Sequence, residues 1–554
     1  MQMKSYILTA AIWMATVFVT MTTACTNILV GKSASADGSV FLSYNADSYG
    51  MFGHIYHHTG GMHPVGEMRK VYNWDTNQYL GEIPQAERTY TVNAQMNEHQ
   101  VSITETTFGG RKELLHPEGM LDYGSLMYIA LERSVSARNA IDIMTSLIDA
   151  YGYSSEGESF SICDKNEAWI LEMIGKGAGE KGAVWVAVRI PDDCVSAHAN
   201  QSRITRLSQY GKKQMLCSKD VITFARQKGY FTGKDSEFSF RDAYAPNDFS
   251  AARYCEARVW SIFNRFCSGM DRYVDYAKGN DQKGEMPLYM KPSHKLTLKE
   301  VMNAMRDHFE DTPFDIRNEV GAGAYNMPYR PTPLEWESGG KKYFNERPVS
   351  TQQTAFSFVG QMRSHYPDPI GGIAWVTNDD PNMAPYVPLH CCISEVPRCF
   401  RRIAGVQDDV HFSWESAYWV QNAVSNMVYP YYEKMFPDVL KLREKMEADV
   451  DTKGMDDYPL QLLREQGREA TVKYLTEAAL IHSNMMLAAW QHLFEYLMVK
   501  HLDMATKKVE EDDPLLNRFK TTQHGYAESP ERPGYPEPFR KRIIQESGGK
   551  YLAK

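Results

Sequence analysis

The chain has 554 residues, 43% of them hydrophobic, 23% charged and 12% aromatic, with a net charge of −9 at pH 7. With no low-complexity tract and no clear internal repeat, that composition excludes fibrous and disordered classes and implies roughly two to four packed units. The acidity argues against nucleic acid or an anionic membrane surface as the main partner.

Residues 1–24 carry Lys4 as their only charge, then the apolar run YILTAAIWMATVFVTM, then the small pair Thr23-Ala24. This is the three-part layout of a secretory signal, and the run is shorter than the ~20 residues a membrane span needs. The mature protein is therefore expected to start at Cys25 and to be secreted or periplasmic, with no later integral membrane segment. An uncleaved anchor is the alternative.

After Cys25 comes TNILVGK, then SASADG, then SVFLSYNAD, a strand, turn and strand. Asp37-Gly38 is a strong hairpin signal because both residues accept positive φ. If these two alone form the loop, Cys25 pairs with Gly50; if the loop is Ser33–Gly38, it pairs with Ala46. Either register brings Asp47 beside the cysteine.

Further strand-like segments are TYTVNAQMN, QVSITETTF, SFSICDK, EAWILEMIG, AVWVAVRI and CVSAHAN, with helical stretches GSLMYIALERS and ARNAIDIMTSLIDAYG between them. From Asn247 the text turns helical, then gives strands at TAFSFVGQMRS and GGIAWVTND. Beyond Trp414 it is helical again, and Met485 and Met486 read there as core filler. The proline-rich tail from Asp512 reads as an extended strap or a loose end. Strand runs broken by helices give an α+β class. The expected organisation is a signal at 1–24, a catalytic unit at 25–410, packed helices at 411–511 and a tail at 512–554.

Nine cysteines stand at 25, 163, 194, 217, 255, 267, 391, 392 and 399. Export permits disulfides, and Cys163 with Cys194, in neighbouring strand-like segments, is the first pair to test. No CxxC pair or HExxH motif appears, so no metal is expected. His54, His57, His58 and His63 read as strand and loop positions.

Three roles compete for Cys25. A small buried strand residue is the simplest. A lipid-modified cysteine on an anchored binding protein is the second, although Thr22 stands where such leaders usually carry a branched apolar residue. The third is an N-terminal nucleophile, in which the residue's own α-amine, with pKa about 7.7–8.0, accepts the thiol proton. Such a site needs a carboxylate to orient the amine, which Asp47 supplies. It also needs oxyanion donors, for which Asn97 in AQMNEHQVSI and Asn200 in SAHANQS are candidates. The sequon at Asn200 is incompatible with that role if glycosylated.

The stretch CTNILVGKSASADGSVFLSYNADS resembles the opening of the dipeptidase A-type cysteine peptidases, which are N-terminal-nucleophile hydrolases related to penicillin V acylases and bile salt hydrolases. MNEHQVSITETTFGGR and IPDDCVSAHANQSRI resemble that family's internal motifs, in the expected order. The resemblance implies a four-layer αββα sandwich with additional C-terminal helices, and catalysis without a cofactor. It implies that Cys25 is nucleophile and amine base, that Asp47 contacts the amine, and that Asn97 and Asn200 bind substrate and oxyanion. Arg253, in DFSAARYCEARVW, matches a supporting arginine. An arginine often found just before the Asn-x-Asp segment is replaced here by Tyr44. The implied activity is hydrolysis of dipeptides through a thioester; an amide hydrolase of acylated amines is the alternative. The implied partners are dipeptide substrates, with self-association left open.

Overall fold

The computed structural model describes residues 25–281, 284–330, 334–450 and 454–553. The leader and its cleavage point lie outside the described residues.

The two large sheets are antiparallel throughout. Their principal strands are β1 (Thr26–Val30), β2 (Val40–Asp47), β3 (Ser102–Gly109), β4 (Gly157–Cys163) and β5 (Ala168–Gly175). They continue with β6 (Ala183–Ile190), β7 (Val195–His198), β8 (Thr354–Met362), β9 (Gly372–Asn378) and β10 (Val387–His390). The first sheet runs Tyr289–Met290, β7, β1, β2, β8, β9, β10. The second runs Met215–Cys217, β6, β5, β4, β3, then the two-residue strands Met96–Asn97, Val92–Asn93 and His57–His58.

Alternation decides which way each side chain points. Cys25 and Leu29 join one core with Leu42, Tyr44, Ile170 and Val186, whereas Ile28, Val30 and Phe41 join another. The first core lies between the sheets, because Asn27 on β1 reaches Thr104 of β3 and Ser161 of β4. Burying one such aliphatic side chain contributes about 1.5–3 kcal/mol.

Helices cover the outer faces. Helices α1 (Tyr123–Arg133) and α2 (Ala137–Tyr151) start at Asp122 and Ser136, whose side chains accept from the Ser125 and Asn139 backbone N–H groups. Such caps satisfy donors that the first helical turn leaves unpaired. Their apolar residues pack on Phe160, Trp169 and Leu171 of the second sheet. Helix α3 (Ala257–Phe266) brings Val259, Trp260 and Phe263 against Ile28, Val30 and Val195 of the first.

The β1–β2 hairpin pairs Thr26 with Asn45, the register of the longer loop, which places Cys25 opposite Ala46. Of the two expected turn residues only Gly38 has positive φ, at 79°. Asp37 instead accepts from the Ser39 backbone N–H (3.0 Å) and hydroxyl (2.8 Å), an Asx-type turn.

The C-terminal third folds as α4 (Ala417–Val428), α5 (Tyr432–Ala448) and the helical run α6 (Gly454–Lys500), which breaks at Gly467. Met486, Trp490, Leu493 and Leu497 line its buried face. Met485 corrects the sequence reading: it is 60% exposed, because adjacent helical residues diverge by about 100° and cannot both face one core. Arg363 at the end of β8 grips Asp456 through two hydrogen bonds of 2.6 and 2.9 Å, tying α6 to the first sheet. The tail carries a helix at Glu537–Ser547, where no helix was read among the prolines. Among the described residues no helix is long and apolar enough to cross a membrane.

All nine cysteines are free thiols. Cys163 and Cys194 do not pair, because Cys163 ends β4 in the second sheet and Cys194 leads into β7 in the first.

Candidate active site

The start of β1 meets β3 where β3 has an open edge. Strand β3 pairs with Met96–Asn97 only at Ser102, so beyond that point one edge has no strand partner among the described residues. Side chains serve those carbonyls instead. Asn200 donates to the Thr107 carbonyl at 2.8 Å. Asn27, with its amide oriented by its hydrogen bonds, donates to the Glu105 carbonyl and accepts from Thr104 and Ser161. Next to it His198 contacts Thr106 (2.7 Å) and Ser161 (2.6 Å). Burial pushes this imidazole down to about 3, so it is neutral at physiological pH.

Cys25 sits at that junction, 4% exposed. Its sulfur lies 3.6 Å from the Tyr44 hydroxyl and 3.6 Å from Glu105 Oε1. Tyr44 is its diagonal neighbour on β2, on the same face, and donates to that same Glu105 oxygen. Glu105 and Glu158 are two buried carboxyls close enough to act on each other, and burial raises both. Burial, then the Glu105 and Asp47 charges, push the Cys25 thiol well up; the Asp47 backbone N–H and the Tyr44 hydroxyl oppose this. The intact chain thus holds Cys25 as a protonated thiol. Iodoacetamide labelling of Cys25 at pH 8 in the full-length folded chain is expected to be at least ~100-fold slower than in urea, and to accelerate as pH rises. Peptide mass spectrometry reads both rates.

Asp47 is buried and held on both oxygens, by Arg347 Nη2 at 3.2 Å and Thr354 Oγ1 at 2.7 Å. Burial pushes its carboxyl up, and Arg347 and Thr354 oppose the shift.

Arg258 on α3 binds the site together. Its five N–H groups donate to the Tyr254 carbonyl (2.7 Å), the Cys25 carbonyl (2.8 Å), Thr26 Oγ1 (2.9 Å), the Ala199 carbonyl (3.2 Å) and Asn200 Oδ1 (3.0 Å). Burial, then Arg347, lowers this guanidinium to about 10, which leaves it charged at neutral pH. Asn200 occupies the left-handed region at φ 62°, which asparagine tolerates better than most residues. With Oδ1 on Arg258 and one N–H on Thr107, its amide keeps a second N–H uncommitted among the described residues.

The structure thus brings Cys25, Asp47 and Asn200 together, and leaves two expected residues apart. Asn97 spends its side chain on a turn, donating to the Leu131 and Ser134 carbonyls and accepting from the His99 and Val101 backbone N–H groups. Those four bonds exhaust its capacity and pin the turn to the end of α1. Arg253 turns away to an ion pair with Glu346, its guanidinium 5.6 Å from the Phe314 ring. Arg258, in the same DFSAARYCEARVW stretch, reaches Cys25 instead. Sequence reading missed Arg258, Arg347, Glu105 and Glu158. The one signal for Glu105 was an acidic residue inside the β-rich run ITETTF.

A family model described as peptidase family C69 matches residues 24–445, about three quarters of the sequence. The chain belongs to peptidase family C69. This C69 member is 27% identical over 387 residues to a probable dipeptidase of Salmonella dublin, covering 66% of this chain and 81% of the relative. It is 24% identical over 435 residues to a probable dipeptidase of Latilactobacillus sakei, covering 74% and 82%. Dipeptidase A of Lactobacillus helveticus is 23% identical over 439 residues, covering 73% and 82%. In the C69 member described here the match begins one residue before Cys25 and ends within α5, so every residue of the Cys25 group falls inside it.

Proposed function

We propose that this C69 member is an exported cysteine dipeptidase whose nucleophile, Cys25, becomes N-terminal when the leader is removed. The observation that carries the reading is the convergence on Cys25 of Asn200, Asp47 and Arg258. The names of the relatives support dipeptides as substrates, and the helices outside two facing antiparallel sheets support the αββα sandwich of N-terminal-nucleophile hydrolases.

In the proposed cycle the Cys25 sulfur attacks the peptide carbonyl while the freed α-amine takes the thiol proton. In the intact chain burial holds the thiol protonated, and the freed amine is the base that removes that proton as the sulfur attacks. The second N–H of Asn200 donates to the developing oxyanion. The α-ammonium then protonates the departing amine, leaving a thioester on Cys25. Water adds to that thioester with the amine as base, and the second product leaves as the thiol re-forms.

Protein trimmed to begin at Cys25 is expected to hydrolyse dipeptides in a panel, and to leave penicillin V and bile acid conjugates uncleaved. The reverse preference would replace this reading with the acylated-amide one. Intact mass of the exported protein is expected to show a bare Cys25; an acyl adduct would block the amine base and overturn the mechanism. Asn200→Ala is expected to lower kcat by ~10²–10³-fold with little change in KM, the loss typical of one oxyanion donor. Steady-state kinetics on one dipeptide tests it.

A further inference from the structure

Two carboxylates lie against the nucleophile, and only one is neutralised. Asp47 has the Arg347 guanidinium at 3.2 Å. Glu105, 2% exposed, and Glu158, fully buried, form no ion pair with any lysine, arginine or histidine among the described residues. Asp75, near enough to act electrostatically on both, is bonded to the Tyr123 hydroxyl at 2.8 Å and likewise has no cation. In the intact chain the titratable groups acting on Glu105 and Glu158 include Cys25, Tyr44, Asp75, Tyr123, Tyr128 and Tyr153, none of them a cation. Glu105 Oε2 and Glu158 Oε1 receive no hydrogen-bond donor among the described residues. A buried anion without a cation is costly, and a charged partner arriving with a ligand relieves that cost.

A dipeptide carries such a partner at the right place. Its α-ammonium nitrogen is two bonds from the scissile carbonyl carbon, about 2.5 Å away by standard covalent geometry. Once the Cys25 sulfur is bonded to that carbon, the ammonium lies within about 4 Å of the sulfur. Glu105 Oε1 stands 3.6 Å from the sulfur, inside the same shell. An N-acyl amide brings no cation there.

We propose that Glu105, backed by Glu158 and oriented by the Tyr44 hydroxyl, is the residue that receives the substrate's α-ammonium and so restricts hydrolysis to peptides with a free N-terminus. This rests on the dipeptidase reading above. Tyr44 fits the same role, since its hydroxyl donates to Glu105 without bringing a charge that would neutralise it.

The test compares alanyl-alanine with its des-amino analogue, propionyl-alanine, on protein trimmed to Cys25. Wild type is expected to favour alanyl-alanine by at least ~10²-fold in kcat/KM, and Glu105→Gln to remove most of that preference, read as the ratio of the two kcat/KM values so that any change in thiol reactivity common to both substrates cancels. If Glu105→Gln lowers both substrates equally, Glu105 serves the enzyme's own amine or the fold, and the inference is overturned. A second measurement needs no variant. The wild-type ratio of the two kcat/KM values is expected to fall about tenfold per pH unit above the substrate amine's pKa, roughly 8, because groups of the enzyme cancel in the ratio. A ratio independent of pH overturns the inference alone. Trimmed wild type that cleaves no dipeptide overturns the proposed function and this inference with it.

Discussion

Cys25→Ala in the trimmed protein is expected to lower kcat/KM for a dipeptide by ~10⁴-fold or more, because covalent chemistry is removed and only binding remains. Cys25→Ser is expected to lose nearly as much. A serine hydroxyl ionises far less readily than a thiol, and here Glu105 lies 3.6 Å away as an anion that opposes a second negative charge. Both variants should lose little thermal stability, since Cys25 belongs to the core between the sheets but its sulfur makes only two long polar contacts and the volume removed is small. Hydrolysis of dipeptides at the wild-type rate by either variant would remove Cys25 from the mechanism. Single-turnover mass spectrometry adds a positive reading: wild type should show an acyl adduct on the Cys25 peptide, and Cys25→Ala should not.

Arg258→Met is expected to damage stability and rate together. The substitution keeps much of the volume but strips donors from the carbonyls of buried Cys25 and Ala199 and from Oδ1 of half-buried Asn200. Each buried acceptor left without its donor costs about 1–3 kcal/mol. In the fraction that folds, kcat is expected to fall ~10²-fold, because the same guanidinium positions the nucleophile's own carbonyl and the Asn200 amide. Arg258→Lys should recover part of the stability and little of the rate, since an ammonium is a point donor and cannot span acceptors on three chain segments. Thermal denaturation with kinetics at a temperature where the variant is folded separates the effects. A folded Arg258→Met protein with wild-type kcat would show that Arg258 only supports the fold. Arg253→Met, by contrast, should leave kcat near wild type, because Arg253 is committed to Glu346.

The local pattern of the chain made much of this legible. Strand-like segments located β1 to β9, and two helical stretches located α1 and α2. Loop length bracketed the hairpin register and so placed Asp47 beside Cys25, because a hairpin's geometry is set by residues close in sequence. Asn200 was legible as an asparagine at a strand end, and the structure gives it positive φ at that position.

What was not legible depends on contacts with no local signature. Arg253 and Arg258 sit five residues apart in one helical stretch, and only the packing of α3 against β1 and β7 decides which faces Cys25. Asn97 carries the residue type of an oxyanion donor, but a turn took all four of its hydrogen-bonding positions first. Glu105 and Glu158 meet because β3 and β4 are neighbours, and a glutamate inside a strand ordinarily reads as a solvent-facing residue. Strand β10 escaped notice because four residues, one of them Pro388, give too little alternation to register.

The connections that complete the catalytic group are among the longest in the chain. Arg258 meets the Cys25 carbonyl across 233 positions of sequence, and Thr354 meets Asp47 across 307. Closing loops of that length costs conformational entropy before any bond forms, so such contacts arise late, with the global fold. A growing chain that has emerged only as far as Asn200 owns the proposed nucleophile and the proposed oxyanion donor but neither Arg258 nor Thr354, which support Cys25 and Asp47. On the proposed mechanism hydrolytic competence is timed by synthesis and folding: an unfinished or unfolded copy carries Cys25 as an ordinary thiol, and no half-made peptidase acts.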